Sequence, residues 1–167
     1  MKKLLFFGFL SLLISCDDGD LQIETIDFDS VSIQDCSDID VGKINVLFKI
    51  NEDEALILTL PDGLLKNEIS ETEISSKVPN ASKISYRIFS DKVAANYFCD
   101  EIPLTSPTVL EEIEAEGGSI LITTTSTDSI TFTHEIRLSE ISFVTSTNTR
   151  ITNLNINDFG SVTTKIK

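Results

Sequence analysis

His134-Glu135 pairs an imidazole that titrates near neutral pH with a carboxylate, the raw material of general acid–base catalysis. His134 is the only histidine of the chain. The pair lies in TFTHEIRL, where apolar and polar residues alternate, and neighbouring residues of a strand point to opposite faces of its sheet. The two side chains therefore cannot work on one substrate from a regular strand, and His134 shares its face with Phe132 and Ile136. Other catalytic vocabulary is missing from the sequence. There is no G-x-S-x-G elbow, phosphate-binding loop, H-E-x-x-H helix or dinucleotide fingerprint. Carboxylate pairs of glycosidase type can be assembled at will in so acidic a chain. With no tryptophan and two tyrosines, a sugar-stacking platform is hard to build. No residue is nominated as catalytic, and a secreted hydrolase is the last of the alternatives.

Oxygen ligands are more plentiful. Asp27, Asp29, Asp35, Asp38 and Asp40 cluster in one stretch, and Glu52, Asp53 and Glu54 occupy another. Calcium takes about six to eight oxygens and tolerates irregular loops, so the five aspartates are chemically adequate candidates. They lack EF-hand spacing, and the same residues also suit a solvated acidic loop that blunts sheet edges. The formal charge of −14 sets the surface against nucleic-acid phosphate and anionic lipid headgroups. It leaves divalent cations and basic partners as possible company.

The elements that must position these residues are strands, because period-two alternation recurs and no long amphipathic helix is visible. Residues 21–33 read as an extended strand with a bulge. Ile44, Val46, Phe48 and Ile50 alternate with Asn45, Leu47 and Lys49, then NEDE turns into Ala55–Leu60, a hairpin ending at Pro61-Asp62-Gly63. Residues 64–80 read as irregular. Ile84, Tyr86 and Ile88 mark a further strand, and Tyr97-Phe98-Cys99 a short extended piece. Gly117-Gly118, between two alternating runs, predicts a tight hairpin, since glycine accepts the positive φ of primed turns. The apolar phase of Ile130 to Leu138 shifts to Ile141 and Phe143, predicting a β-bulge near Ser139 and Glu140. Ile151, Leu154, Ile156 and the run Val162 to Ile166 supply edge pieces. The fold class is all-β: an antiparallel β-sandwich of about eight to ten strands. An immunoglobulin-like arrangement is one option, although the tryptophan and cysteine spacing of an antibody domain is absent.

The first residues have a different character. Lys2 and Lys3 precede the apolar run Leu4–Ile14 and small Ser15, the anatomy of a secretory signal. The run is too short to span a bilayer, which takes roughly 20 apolar residues. Its ending, Leu13-Ile14-Ser15-Cys16, resembles the lipobox of bacterial lipoproteins. That resemblance implies cleavage before Cys16 and lipidation of its thiol, and acyl chains at ~0.8 kcal/mol per buried methylene would hold the protein on a membrane. DDGD, at 17–20, resembles the acidic export signal behind the lipidated cysteine in Bacteroidota lipoproteins, which implies display on the outer face of the outer membrane. A periplasm-facing location is the alternative. The segment YFCDEIPLTSPTVLEEIEAEGGSILITTTS, residues 97–126, is similar to one in lipoproteins of flavobacteria, a resemblance that bears on taxon and address and implies no activity.

These readings divide the chain into a lipoprotein signal peptide (1–15), a lipidated acidic tether (16–20) and a single β-sandwich domain (21–167). Removing the signal leaves 152 of the 167 residues, one domain's worth, and losing two lysines takes the charge from −14 to −16. With Cys16 acylated, Cys36 and Cys99 remain, an even pair in an oxidising compartment for which a disulfide is the default expectation. It would close 63 residues and contribute about 4 kcal/mol. Two buried thiols or a metal site are the alternatives, the latter short of ligands. The function expected is a non-catalytic, lipid-anchored binding or accessory component of an envelope assembly, without nucleic acid. Its alternative is a calcium-dependent adhesion or glycan-binding module.

Overall fold

The structure, a computed structural model, describes residues 25–102 and 104–166. The signal, the lipidation site Cys16 and the acidic tether lie outside the described residues.

The first two strands, β1 (Thr25–Asp27) and β2 (Gln34–Asp35), are short. Of the single extended strand expected over 21–33, residues 21–24 lie outside the described residues, and in the remainder only β1 is extended, because the chain turns at Asp29 and Ser30. β3 (Asn45–Asn51) and β4 (Glu54–Leu60) form the expected hairpin, with Asn51 opposite Glu54 and Glu52 at positive φ in the turn. The phase of β3 is the reverse of the reading from alternation. Leu47 and Lys49 face the main core, while Ile44 and Val46 are exposed. Phe48 packs on the opposite face of the sheet, so both faces are covered there. Burial on both faces also accounts for the unbroken apolar run of β4, which alternation alone would not produce.

β5 (Ile74–Lys77) lies inside the segment expected to be irregular. It is ordered by pairing along its length with the later strand β7, a partner no local pattern announces. β6 (Lys83–Phe89) follows as expected. Tyr97–Cys99 is not extended but belongs to a single helical turn, α1 (Asn96–Cys99), whose aromatic side chains lie on the outer face of the β3–β4–β6 sheet.

The largest departure is at Gly117-Gly118. Instead of a hairpin, both glycines lie within one strand of 18 residues, β7 (Val109–Ser126). The runs on either side of them have different partners. The first half pairs with β6, and the second with β8 (Thr131–Val144) and β5. The strand has no need to fold back on itself, and the glycines let it bend between the two halves. Gly118 has φ +117°, and a Cβ there would meet the Ile141 side chain at 2.7 Å and the Glu140 carbonyl oxygen at 2.9 Å. On β8 the expected bulge is present: Gly117 pairs with Ser142 but Ser119 with Ser139, and Glu140 takes φ 55°.

β9 (Arg150–Ile151), β10 (Asn153–Asn155) and β11 (Asp158–Lys165) follow, making eleven strands among the described residues rather than eight to ten, because several are only two or three residues long. The main sheet runs β11-β8-β7-β6-β4-β3-β2, with β5 on β7 and β9 on β8, and β1 pairs in parallel with β10. The order is nearly sequential, and nothing in it singles out the immunoglobulin-like arrangement. The result is an all-β sandwich. Leu56 and Leu58 of one half and Ile122, Ile136 and Phe159 of the other line one core, closed by Ile26 and Phe28. Burying each such side chain contributes about 1.5–3 kcal/mol.

Candidate functional site

The most unusual buried group is Lys49, which alternation had placed on the polar side of β3. It is 1% exposed. Its Nζ donates to the carbonyl oxygens of Phe28 and Asp158, each at 2.7 Å, and stands 5.5 Å from the centre of the Phe159 ring. An ammonium has three protons, so two carbonyls and an aromatic face satisfy it without a carboxylate contact. Burial pushes its pKa below the ordinary lysine value, while the charges of Asp158 and Asp29 pull the other way. The Asp29 carboxylate in turn accepts from the backbone N–H of Asp158 at 3.0 Å. Lys49 thus fastens the segment after β1 to the start of β11, joining the chain's first and last described elements across the core.

His134 is fully buried on the inner face of β8. Its Nδ1 is 2.9 Å from the Thr124 hydroxyl and its Nε2 2.8 Å from that of Thr164. Thr164 donates its one proton to Asn67 Oδ1 at 2.5 Å, so it accepts from Nε2–H. In the neutral ring that burial favours, Nδ1 accepts the Thr124 proton, which makes the tautomer Nε2–H. Burial lowers the imidazole's pKa, reinforcing the neutral state. Both ring nitrogens are occupied and none of the ring meets solvent, so His134 cannot pass a proton to a bound substrate. Glu135 is exposed on the opposite face of β8.

The five aspartates considered for calcium are dispersed in their roles. Asp27 accepts from Asn155 Nδ2 at 3.4 Å, Asp29 holds the Asp158 backbone, and Asp40 caps Gly42 N–H at 3.0 Å while facing Lys43 at 3.7 Å. Asp35 is in β2 and Asp38 in the exposed loop after it. Among the described residues, no three His, Cys, Asp or Glu side chains are gathered to hold a metal ion. At the tip of the first hairpin, Glu54 accepts from the Tyr86 hydroxyl at 2.8 Å and Glu52 faces Lys92.

Cys36 and Cys99 are joined in a disulfide spanning 63 residues. It ties the loop after β2 to the end of α1, a single turn with no side-chain cap and therefore too short to persist alone. Beneath it Phe98 stacks on Phe48 at 4.6 Å, and Tyr97 meets Phe89 edge-on at 5.0 Å. Beside Phe98, a groove of about 290 Å³ runs over Val46 and Ile57. A polar hollow of about 310 Å³ lies over Thr125, Thr133 and Glu135. A larger trough, about 610 Å³, follows β7 from Leu110 to Glu116 and is bounded by Val144–Ser146. His134 lines none of these three.

Comparison of the chain with protein-family models, with curated proteins and with solved structures finds no match. Among the described residues no helix is long and apolar enough to cross a membrane. Two features were invisible to sequence reasoning: the inward direction of Lys49 and the trough along β7. The run VLFKI advertises a lysine among apolar neighbours, but which of its two phases faces the core depends on what covers the other.

Proposed function

We propose that this chain is a lipoprotein of the bacterial envelope, anchored through Cys16 to the outer membrane with its β-sandwich facing outward, and that it serves as a binding or accessory component of an envelope assembly rather than as a catalyst. The observation that carries the reading is the ordered sequence Lys2-Lys3, apolar run, Leu13-Ile14-Ser15-Cys16. Directly behind Cys16, Asp17-Asp18-Gly19-Asp20 are polar residues of the kind a tethered domain requires. The sealed histidine and the Lys49 node, both committed to holding strands together, favour a binding role.

The test is fractionation. Wild-type protein is expected in the membrane fraction and to incorporate labelled fatty acid, and a Cys16→Ser variant is expected in soluble fractions without label. Membrane retention of the variant would sink the anchoring argument. Externally added protease is expected to remove the domain from intact cells, whereas full protection in cells confirmed intact would place it on the periplasmic side.

A further inference from the structure

We propose that the first half of β7 is a docking edge for an extended, basic segment of a partner protein, which adds to the sheet as an extra strand. Residues 109–114 pair with β6 on one side only. On the other side β8 accompanies β7 from Ser126 back to Ala115, which faces Phe143, and does not pair with it before Ala115; β9 lies along the opposite edge of β8 at Phe143 and Val144. Among the described residues no other strand takes its place. Alternate N–H and C=O groups of β7 therefore point into the 610 Å³ trough between this edge and Val144–Ser146, the arrangement that strand addition uses.

Side chains along the edge select the occupant. Glu112, Glu114 and Glu116 project to solvent, while Ile113 and Ala115 between them are buried. Glu112 pairs with Arg87 at 2.8 Å, and among the described residues neither Glu114 nor Glu116 has an ion-pair partner. At the head of the edge Leu110 is 67% exposed, an apolar anchor. Charges on an edge strand ordinarily deter pairing. Here they are all of one sign, so they deter selectively. A second copy would bring glutamates against glutamates, and the acidic residues 17–20 of the same chain are repelled as well. A strand with lysine or arginine at alternate positions and small apolar residues between them satisfies both the outer row of carboxylates and the buried Ile113 between them.

The proposal rests on the preceding reading only for the compartment in which the partner is met, and its test makes no use of the anchor. A short synthetic peptide alternating lysine and valine is titrated into the purified full-length chain by fluorescence anisotropy, beside a glutamate–valine control. Two further peptides carry N-methyl groups on alternate amides, in one register or the other. Binding of the lysine peptide is expected, with loss on N-methylation in a single register and new amide-exchange protection at 109–114. The Glu114→Gln/Glu116→Gln variant is expected to bind about tenfold more weakly. Binding indifferent to N-methylation in both registers would be charge attraction without strand addition and would overturn the proposal. So would the absence of binding at millimolar peptide, protection confined to other strands, or self-association of the chain through this edge.

Discussion

The two faces of the β3–β4–β6 sheet are held by different means. On the inner face, Leu47, Leu56, Leu58 and Tyr86 meet side chains from the other half of the sandwich, and Lys49 binds the carbonyls of two distant segments. On the outer face, Phe48, Ile57 and Phe89 are covered by one helical turn with two aromatic rings, Tyr97 and Phe98, and by a disulfide. The inner layer draws its side chains from most of the described strands. The segment that covers the outer layer is a single helical turn, and a covalent link limits its freedom.

β7 pairs with β6 in one half and β8 in the other and places Ile113, Ala115, Ile120 and Ile122 in the main core, so the largest effect is expected there. Gly118→Ala places a Cβ against backbone within 3 Å at a φ that L residues rarely adopt. A loss of at least about 3 kcal/mol is expected in chemical denaturation, with both layers melting together. An unchanged midpoint would mean that β7 does not bend where described.

Lys49→Met breaks the inner face alone. It removes a buried charge, which by itself would stabilise, but leaves the Phe28 and Asp158 carbonyls without donors at about 1–3 kcal/mol each. A net loss of about 2–3 kcal/mol is expected, with amide exchange quickened first in β1 and β11. Stability equal to wild type would show that water replaces the ammonium.

Removing the disulfide tests the outer face. Cys36→Ser/Cys99→Ser is expected to cost about 2–4 kcal/mol at most, since the loop-closure contribution is model-dependent. Exchange in α1 should rise while β8 and β11 stay protected. Loss of protection throughout the sandwich would abolish the distinction between the layers.

The smallest effect is the response to pH. Burial depresses the pKa of His134 below its ordinary 6.5, so the unfolded chain binds the proton more readily than the folded one. Stability is therefore unaffected by this group above about 6.5 and falls as the pH drops from there toward the folded-state pKa. His134→Gln should flatten that part of the profile, and an equal slope in the variant would assign the acid sensitivity to other groups. Lys49 has the same sign at the alkaline end: its depressed pKa makes stability rise with pH below the ordinary lysine value.

Alternation along the chain was enough to read the all-β class, the β3–β4 hairpin, the bulge at Glu140 and the phase that buries His134, because each is a local pattern against one dominant surface. Counting cysteines after the lipobox resemblance led to the Cys36–Cys99 pair. The same alternation misread Lys49, where both faces of the strand are covered and period two loses its meaning. It misread Gly117-Gly118 as well, since glycine permits a turn and a bend alike and the choice depends on partners far away in sequence. The open edge of β7 was hidden for a related reason: a strand's free side is defined by where β8 departs, and no residue of β7 records that departure. Residue types thus fix what each segment can bury or bond, whereas the pairing of distant segments determines which of those capacities is used and which is left facing solvent.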